Sequence, residues 1–226
     1  MSLKKKIKKA ISIIVPKGYA KERIKLFFYR LFKEKGFFFE ILKKEDKVIY
    51  KTTSNSTVVL TNEALYTIAV DFNYYQYFYR TKENDIVVDA GANMGHISIF
   101  FSKQVGKNGK VYCFEPDKFN INMLNKNIQL NTDLTDNILI EDLLLWNENT
   151  IIDFKEAGTA GSSAVWFSGK NNLVKKQAVT LDSWAKERKL TRLDFIKMDI
   201  EGAEIEALDG AVEVIKQFSP KFAIAS

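Results

Sequence analysis

The segment Asp89-Ala90-Gly91-Ala92-Asn93-Met94-Gly95 places an acid, two glycines and a short turn directly after the apolar run Ile86-Val87-Val88. A glycine at 91 permits a tight turn and lets backbone approach a ligand closely, because no Cβ intervenes. Gly95 precedes the apolar stretch that opens at His96, and the free N–H groups of a helix start favour an anion such as a carboxylate. Asp89, at the strand end, suits an ammonium group, directly or through water. Asp89 and the helix-start N–H groups therefore suit the two charges of an amino-acid moiety, with Gly91, Ala92, Asn93 and Gly95 shaping the cofactor turn between them. A dinucleotide fingerprint would read G-x-G-x-x-G, whereas the spacing here is D-x-G-x-x-x-G. That spacing disfavours an NAD-dependent oxidoreductase.

Two further acids extend the same ligand. Glu115 ends the run Val111-Tyr112-Cys113-Phe114, roughly twenty residues past the glycine turn, where such folds set a carboxylate on ribose hydroxyls. An acid there would repel the 2′-phosphate of NADP. Asp142 follows a third apolar run, Ile138-Leu139-Ile140, and is placed to accept a bond from the exocyclic amine of adenine. With Glu141 it could equally cap a surface strand. An amino-acid group, a ribose and an adenine in one ligand describe S-adenosylmethionine.

A second acidic cluster, Asp199-Ile200-Glu201-Gly202-Ala203-Glu204, follows the run Phe195 to Met198. Methyl transfer from a sulfonium is an in-line displacement, so an enzyme must chiefly align acceptor and methyl group. A hydroxyl acceptor also gains from a nearby general base. Asp199 and Glu201 are the candidates for that base, and either can instead hold the acceptor or bind a cation. Glu204 reads as an acid favoured by a helix N-terminus. The spacing requires no metal. His96 titrates near neutrality, but at the first turn of a helix it reads as packing.

These residues need elements to carry them. Strands are predicted over 86–89, 111–115, 138–140 and 195–199, with a fifth from 222 to 225, and helices from His96, over 119–130 and over 203–218. Short apolar strands alternating with helices imply an α/β fold with a doubly wound, mostly parallel sheet. Residues 1–80 read as an N-terminal helical and β-hairpin appendage, and residues 81–226 as the ligand-binding domain. The appendage opens on Lys4, Lys5, Lys6, Lys8 and Lys9 with Leu3, Ile7, Ile11 and Ile14 at helical spacing. A second helix from about Ala20 carries the stripe Ile24, Phe27, Phe28, Leu31 and Phe32. Such basic amphipathic segments rest on anionic membranes or pack on their own domain. A hairpin joins 37–42 to 47–50, and the aromatics Tyr74, Tyr75, Tyr77, Phe78 and Tyr79 belong to a helix packed before the core, or line a substrate pocket.

Composition narrows the class further. The 226 residues are 46% hydrophobic, which suits a globular chain, and the net charge of +6 suits an anionic partner. The basic residues gather at the start instead of alternating with aromatics, which disfavours nucleic acid. One cysteine, Cys113, excludes an intramolecular disulfide, and one histidine excludes a His-rich metal site. No apolar run reaches the roughly twenty residues that span a bilayer. No segment reads as a secretory signal, and the expected location is cytoplasmic.

Four pieces, Val88 to Gly95, Val111 to Pro116, Thr180-Leu181-Asp182-Ser183 and Ile196 to Glu204, resemble the FkbM-type methyltransferases over about Asn84 to Ser226. Gly161-Ser162-Ser163 is similar to a small-residue turn of that family. The resemblance implies a Rossmann-like class I methyltransferase fold and S-adenosylmethionine as cofactor, released as S-adenosylhomocysteine. It also implies O-methylation of sugars in surface glycans, glycolipids or secondary metabolites. It places Asp89, Gly91, Gly95 and Glu115 at the cofactor and Asp199 and Glu201 beside the reaction centre. A full fold of this type continues past the fifth strand, whereas this sequence stops at Ser226, so the expectation is a chain without those last strands. A different class of reading is an inactive basic module that binds a membrane or glycan.

Overall fold

The computed structural model describes residues 19–31, 37–44, 47–54, 57–63, 68–132, 136–158, 162–164 and 173–225. The lysine-rich start, and Phe32 of the expected stripe, lie outside them. The chain forms two compact units, Met1–Ala69 and Val70–Ser226. The second unit takes in residues 70–80, which the sequence assigns to the appendage. The reason is local: Phe72 packs its ring 4.7 Å from that of Phe100 and 6.2 Å from that of Phe101.

In the first unit, helix α1 (Tyr19–Leu31) precedes an antiparallel meander of β1 (Phe37–Lys44), β2 (Lys47–Ser54) and β3 (Thr57–Thr61). The expected hairpin is present with longer strands, and β3 adds a third. The expected stripe on α1 differs, because Leu26 is buried while Phe27 is 61% exposed. No described helix is long and apolar enough to cross a membrane.

The second unit begins at α2 (Ile68–Tyr75), which straddles the division. A parallel five-stranded sheet follows, ordered β11-β10-β4-β5-β6 from β4 (Ile86–Ala90), β5 (Lys110–Phe114), β6 (Ile138–Glu141), β10 (Phe195–Met198) and β11 (Lys221–Ile224). These are the five strands read from the apolar runs, each within a residue or two of its expected bounds. The inner strand β10, Phe-Ile-Lys-Met, is buried at every position, the pattern of a parallel sheet covered on both faces. Helices α3 (His96–Val105) and α4 (Lys118–Leu130) follow β4 and β5. Beyond β10, the single helix expected over 203–218 is instead two, α6 (Glu204–Asp209) and α7 (Val212–Phe218), interrupted at Gly210-Ala211.

Between β6 and β10 lies a second small sheet that the sequence did not announce. Strands β7 (Leu144–Leu145), β8 (Thr150–Lys155) and β9 (Leu173–Val179) order as β7-β9-β8, before helix α5 (Leu181–Glu187). The side chains of β8 and β9 are mixed in polarity, and only part of each of these two strands is covered. Thr180 caps α5, accepting from the Ser183 backbone at 3.0 Å. Trp184 of α5 then sets its ring 4.8 and 4.9 Å from those of Tyr112 and Phe114, edge-on, in the core beside the main sheet.

The break at Gly210 has a packing cause: a Cβ there would stand 2.0 Å from the Trp146 carbonyl oxygen. Gly210→Ala must displace backbone on one side, an overpacking cost of about 1–3 kcal/mol. Its thermal midpoint should fall by about 2–4 °C per kcal/mol lost, and a variant melting with the wild type would contradict the contact.

Candidate functional site

The C-terminal ends of β10, β4, β5 and β6 stand side by side, so the loops leaving them share one edge of the sheet. The turn after β4 is held down by two bonds, from the Gly91 and Ala92 amides to the Phe114 carbonyl at 2.9 and 3.1 Å. Gly91 has φ +76°, and a Cβ on it would lie 1.9 Å from the Asp199 carbonyl oxygen. The loops after β4 and β10 therefore meet backbone to backbone. Gly95, at φ +78°, caps α3, and a Cβ there would lie 1.9 Å from Leu124 Cδ1. No side chain caps this helix start, and the N–H groups of a helix's first turn have no partner within the helix itself.

Asn93 adopts φ 52°, a left-handed conformation uncommon outside glycine. Its amide donates to Glu115 Oε2 at 2.7 Å. Glu115 Oε1 accepts from the Asp117 amide at 2.9 Å and from Asn120 Nδ2 at 3.2 Å. A carboxylate has about four lone-pair sites, and these donors use three, so one acceptor position is left. Burial pushes the Glu115 carboxyl above its ordinary value, against the pull of the three donors. An uncapped helix start, a glycine turn and a carboxylate with acceptor capacity fit S-adenosylmethionine.

Asp89 does not stand open at the strand end. It is fully buried, its Oδ2 accepts from Ser98 Oγ at 2.6 Å, and its Oδ1 lies 3.0 Å from Lys197 Nζ. That last contact is close enough for ion pairing but lies outside hydrogen-bond geometry. Lys197 is 3% exposed, sits opposite Asp89 in the β10–β4 register, and donates to the Ala90 and Gly91 carbonyls at 3.2 and 2.7 Å.

Asp199 is half-buried just past β10, and Tyr75 donates its hydroxyl to Asp199 Oδ2 at 2.6 Å. Glu201 is exposed, with φ 56°. Partial burial, then the negative charges of Asp199 and Glu204, raise its carboxyl above the ordinary value. Glu204 accepts from the Ile200 amide at 2.8 Å, a local role at the start of α6. His96 is buried in the first turn of α3.

Asp142, expected at the adenine, is exposed and accepts from Lys176 Nζ at 2.8 Å, with Glu156 3.6 Å from the same ammonium. The three line a polar cavity of about 310 Å³ with Lys118, Lys175 and Gln177. Neighbouring Glu141 is buried and accepts from Arg188 at 2.7 Å. Among the described residues, no three His, Cys, Asp or Glu side chains group as metal ligands.

Several site residues escaped the sequence reading. Asp117 caps α4 and collects five donors: the Phe119, Asn120, Ala157 and Gly158 amides and Ser162 Oγ, the last at 2.6 Å. Burial opposes ionisation, but the Ser162 hydroxyl and the amides outweigh it and hold the carboxyl below its ordinary value. Ser163, next in the small-residue turn, donates to the Glu201 carbonyl at 3.0 Å. Asp117 carried a usable signal, since an aspartate before a helical run is a standard N-cap. Lys197 carried one too, as a lone charge inside an apolar strand. Tyr75 carried none.

A parallel sheet ordered in this way, with glycine turn and acids on one edge, is the Rossmann-like fold of S-adenosylmethionine-dependent methyltransferases. The profile described as Methyltransferase FkbM domain matches residues 89–225, and the chain belongs to that family. S-adenosylmethionine is the family's cofactor. Among characterised relatives, 2-O-methyltransferase NoeI of Sinorhizobium fredii (strain NBRC 101917 / NGR234) is 27% identical over 59% of this chain and 60% of its own length. Methyltransferase sdnD of Sordaria araneosa is 28% identical over 58% of this chain and 61% of its own. The chain thus spans about three-fifths of the length of the curated relatives it matches. The crystal structure of methyltransferase FkbM from Methylobacillus flagellatus KT aligns with TM-score 0.50 and 23% identity, over 66% of this chain and 35% of that one.

Two substitutions test the polar contacts. Lys197→Met strands the Asp89 carboxylate in the core, and removing one partner of a buried pair costs about 3–5 kcal/mol. Urea unfolding should show that loss, with part of it recovered when Asp89→Asn is added. Asp117 titrates lower in the folded chain than in the unfolded one, so its stabilisation is present above the unfolded value and disappears as pH falls through the folded one. Asp117→Asn should therefore be destabilised at pH 7, by about 1–3 kcal/mol. The gap to wild type should narrow below about pH 4. A gap independent of pH would contradict the assignment.

Proposed function

We propose that this chain is an S-adenosylmethionine-dependent O-methyltransferase whose acceptor is a saccharide hydroxyl, in a surface glycan, glycolipid or secondary metabolite. The observation that carries this reading is the backbone contact between Gly91 and Asp199. It joins the turn that would receive the cofactor to the loop that carries the candidate base. In this reading the first turn of α3 receives the cofactor's carboxylate, Glu115 takes the ribose hydroxyls, and the loop 91–95 shapes the pocket around them. Asp89 acts from beneath, through Lys197, by holding that loop. Asp142, just beyond β6, would take the adenine's exocyclic amine only by giving up its bond to Lys176.

When bound, S-adenosylmethionine supplies an electrophilic methyl on a positively charged sulfur and departs as S-adenosylhomocysteine. Asp199 would hold the acceptor's hydroxyl and take up its proton. Glu201, more exposed and on the same loop, holds a neighbouring hydroxyl. The exposed aromatics Tyr74 and Tyr77, 58% and 78% accessible, flank the residue bonded to Asp199 and present faces of the kind on which sugar rings stack. The resemblance to a relative named as a 2-O-methyltransferase supports a hydroxyl acceptor.

Isothermal titration of the purified chain with S-adenosylhomocysteine should give saturable binding that Glu115→Ala weakens by tenfold or more, the equivalent of about 1.4 kcal/mol. Asp199→Asn should bind the product as the wild type does, yet fail to transfer tritiated methyl to a panel of methyl glycosides. A folded chain that binds no S-adenosylhomocysteine would overturn the cofactor assignment.

A further inference from the structure

We propose that Tyr75 is a positioning residue of the methyl-transfer site, fixing the Asp199 carboxylate from a helix that precedes the family-matched segment 89–225. The proposal rests on the reading of Asp199 as the base. The torsion at the end of an aspartate side chain is broad, without sharp staggered wells, so a catalytic carboxylate needs an external partner to aim it. Here that partner is a phenol 124 positions earlier in the chain, donating to Oδ2 at 2.6 Å. A phenol is neutral at physiological pH and donates to a carboxylate in a short, charge-assisted bond. With Oδ2 so engaged, Oδ1 is the oxygen presented to the acceptor's proton.

Tyr75 is itself well anchored. It is the last residue of α2 and is 8% exposed, and Phe72, three positions earlier, packs its ring against that of Phe100 of α3. Gln76, the next residue, donates from its side chain to Gln104 Oε1 at 2.9 Å. The Tyr75 ring also faces the buried Lys197 ammonium, 5.4 Å from Nζ to ring centroid. A cation over a ring face is attracted to its quadrupole. One side chain therefore touches the carboxylate through its hydroxyl and, through its ring, the ammonium that holds the Gly91 carbonyl. Those are the two ends of the Gly91–Asp199 contact. A side chain that served packing alone would need the ring and not the hydroxyl.

The test separates the hydroxyl from the ring. In protein labelled with ¹³C at the oxygen-bearing ring carbon of tyrosine, the Tyr75 signal is assigned by its loss in Tyr75→Phe. It should shift in Asp199→Asn and stay in place in Glu201→Gln; a signal indifferent to Asp199→Asn overturns the proposal without any acceptor being needed. Tyr75→Phe should melt as wild type and bind S-adenosylhomocysteine equally well. Its kcat on the methyl glycosides should fall about ten- to a hundredfold, the scale expected for a misplaced reacting group. Added to Asp199→Asn, it should cost nothing more. Wild-type kcat in Tyr75→Phe, beside an inactive Asp199→Asn, overturns the role of Tyr75 and leaves Asp199 as base. Undiminished turnover by Asp199→Asn overturns the base itself.

Discussion

The ammonium of Lys197 is the point on which the site depends. It lies inside the sheet, where an unpaired charge would cost several kcal/mol, and its neighbours divide that charge among them. Asp89 stands opposite on β4, the Ala90 and Gly91 carbonyls accept its protons, and the Tyr75 ring covers it. Because Lys197 lies on β10 and its partners lie on β4, the turn after it and helix α2, one desolvated cation fixes the relative placement of all four. The Gly91 turn cannot lift from the sheet without exposing the ammonium, and so keeps its backbone contact with Asp199.

A second convergence works the same way with the opposite sign. Asp117 ends the connection from β5 and draws in the amides of Ala157 and Gly158 and the Ser162 hydroxyl, all from the connection between β8 and β9. Ser163 completes the link by donating to the Glu201 carbonyl. A single buried carboxylate with five donors thus ties the inserted sheet to the edge where Glu115 and Glu201 stand. The two left-handed residues on that edge that are not glycine, Asn93 and Glu201, are each held by such a bond: the first donates to Glu115, the second accepts from Ser163. Strain of this kind persists only where surrounding contacts enforce it.

The sequence by itself determined the sheet strands, the glycine turn and the identity of the acids, because these obey local rules. Four- and five-residue apolar runs bury on both faces, and glycine marks the positive φ that other residues avoid. It could equally mark Asp117 as a cap and Lys197 as a charge out of place. It did not reveal the sheet of β7 to β9, whose two longer strands mix polar and apolar residues, nor the break at Gly210, where the Trp146 carbonyl leaves no room for a Cβ. Only the tertiary structure decided which charges meet. Asp89 and Lys197 become neighbours through a parallel strand register, Asp142 through Lys176 of the inserted sheet, and Asp199 through a tyrosine 124 positions away. Such pairings are set by how elements stack in space, and local spacing along a chain carries no record of them.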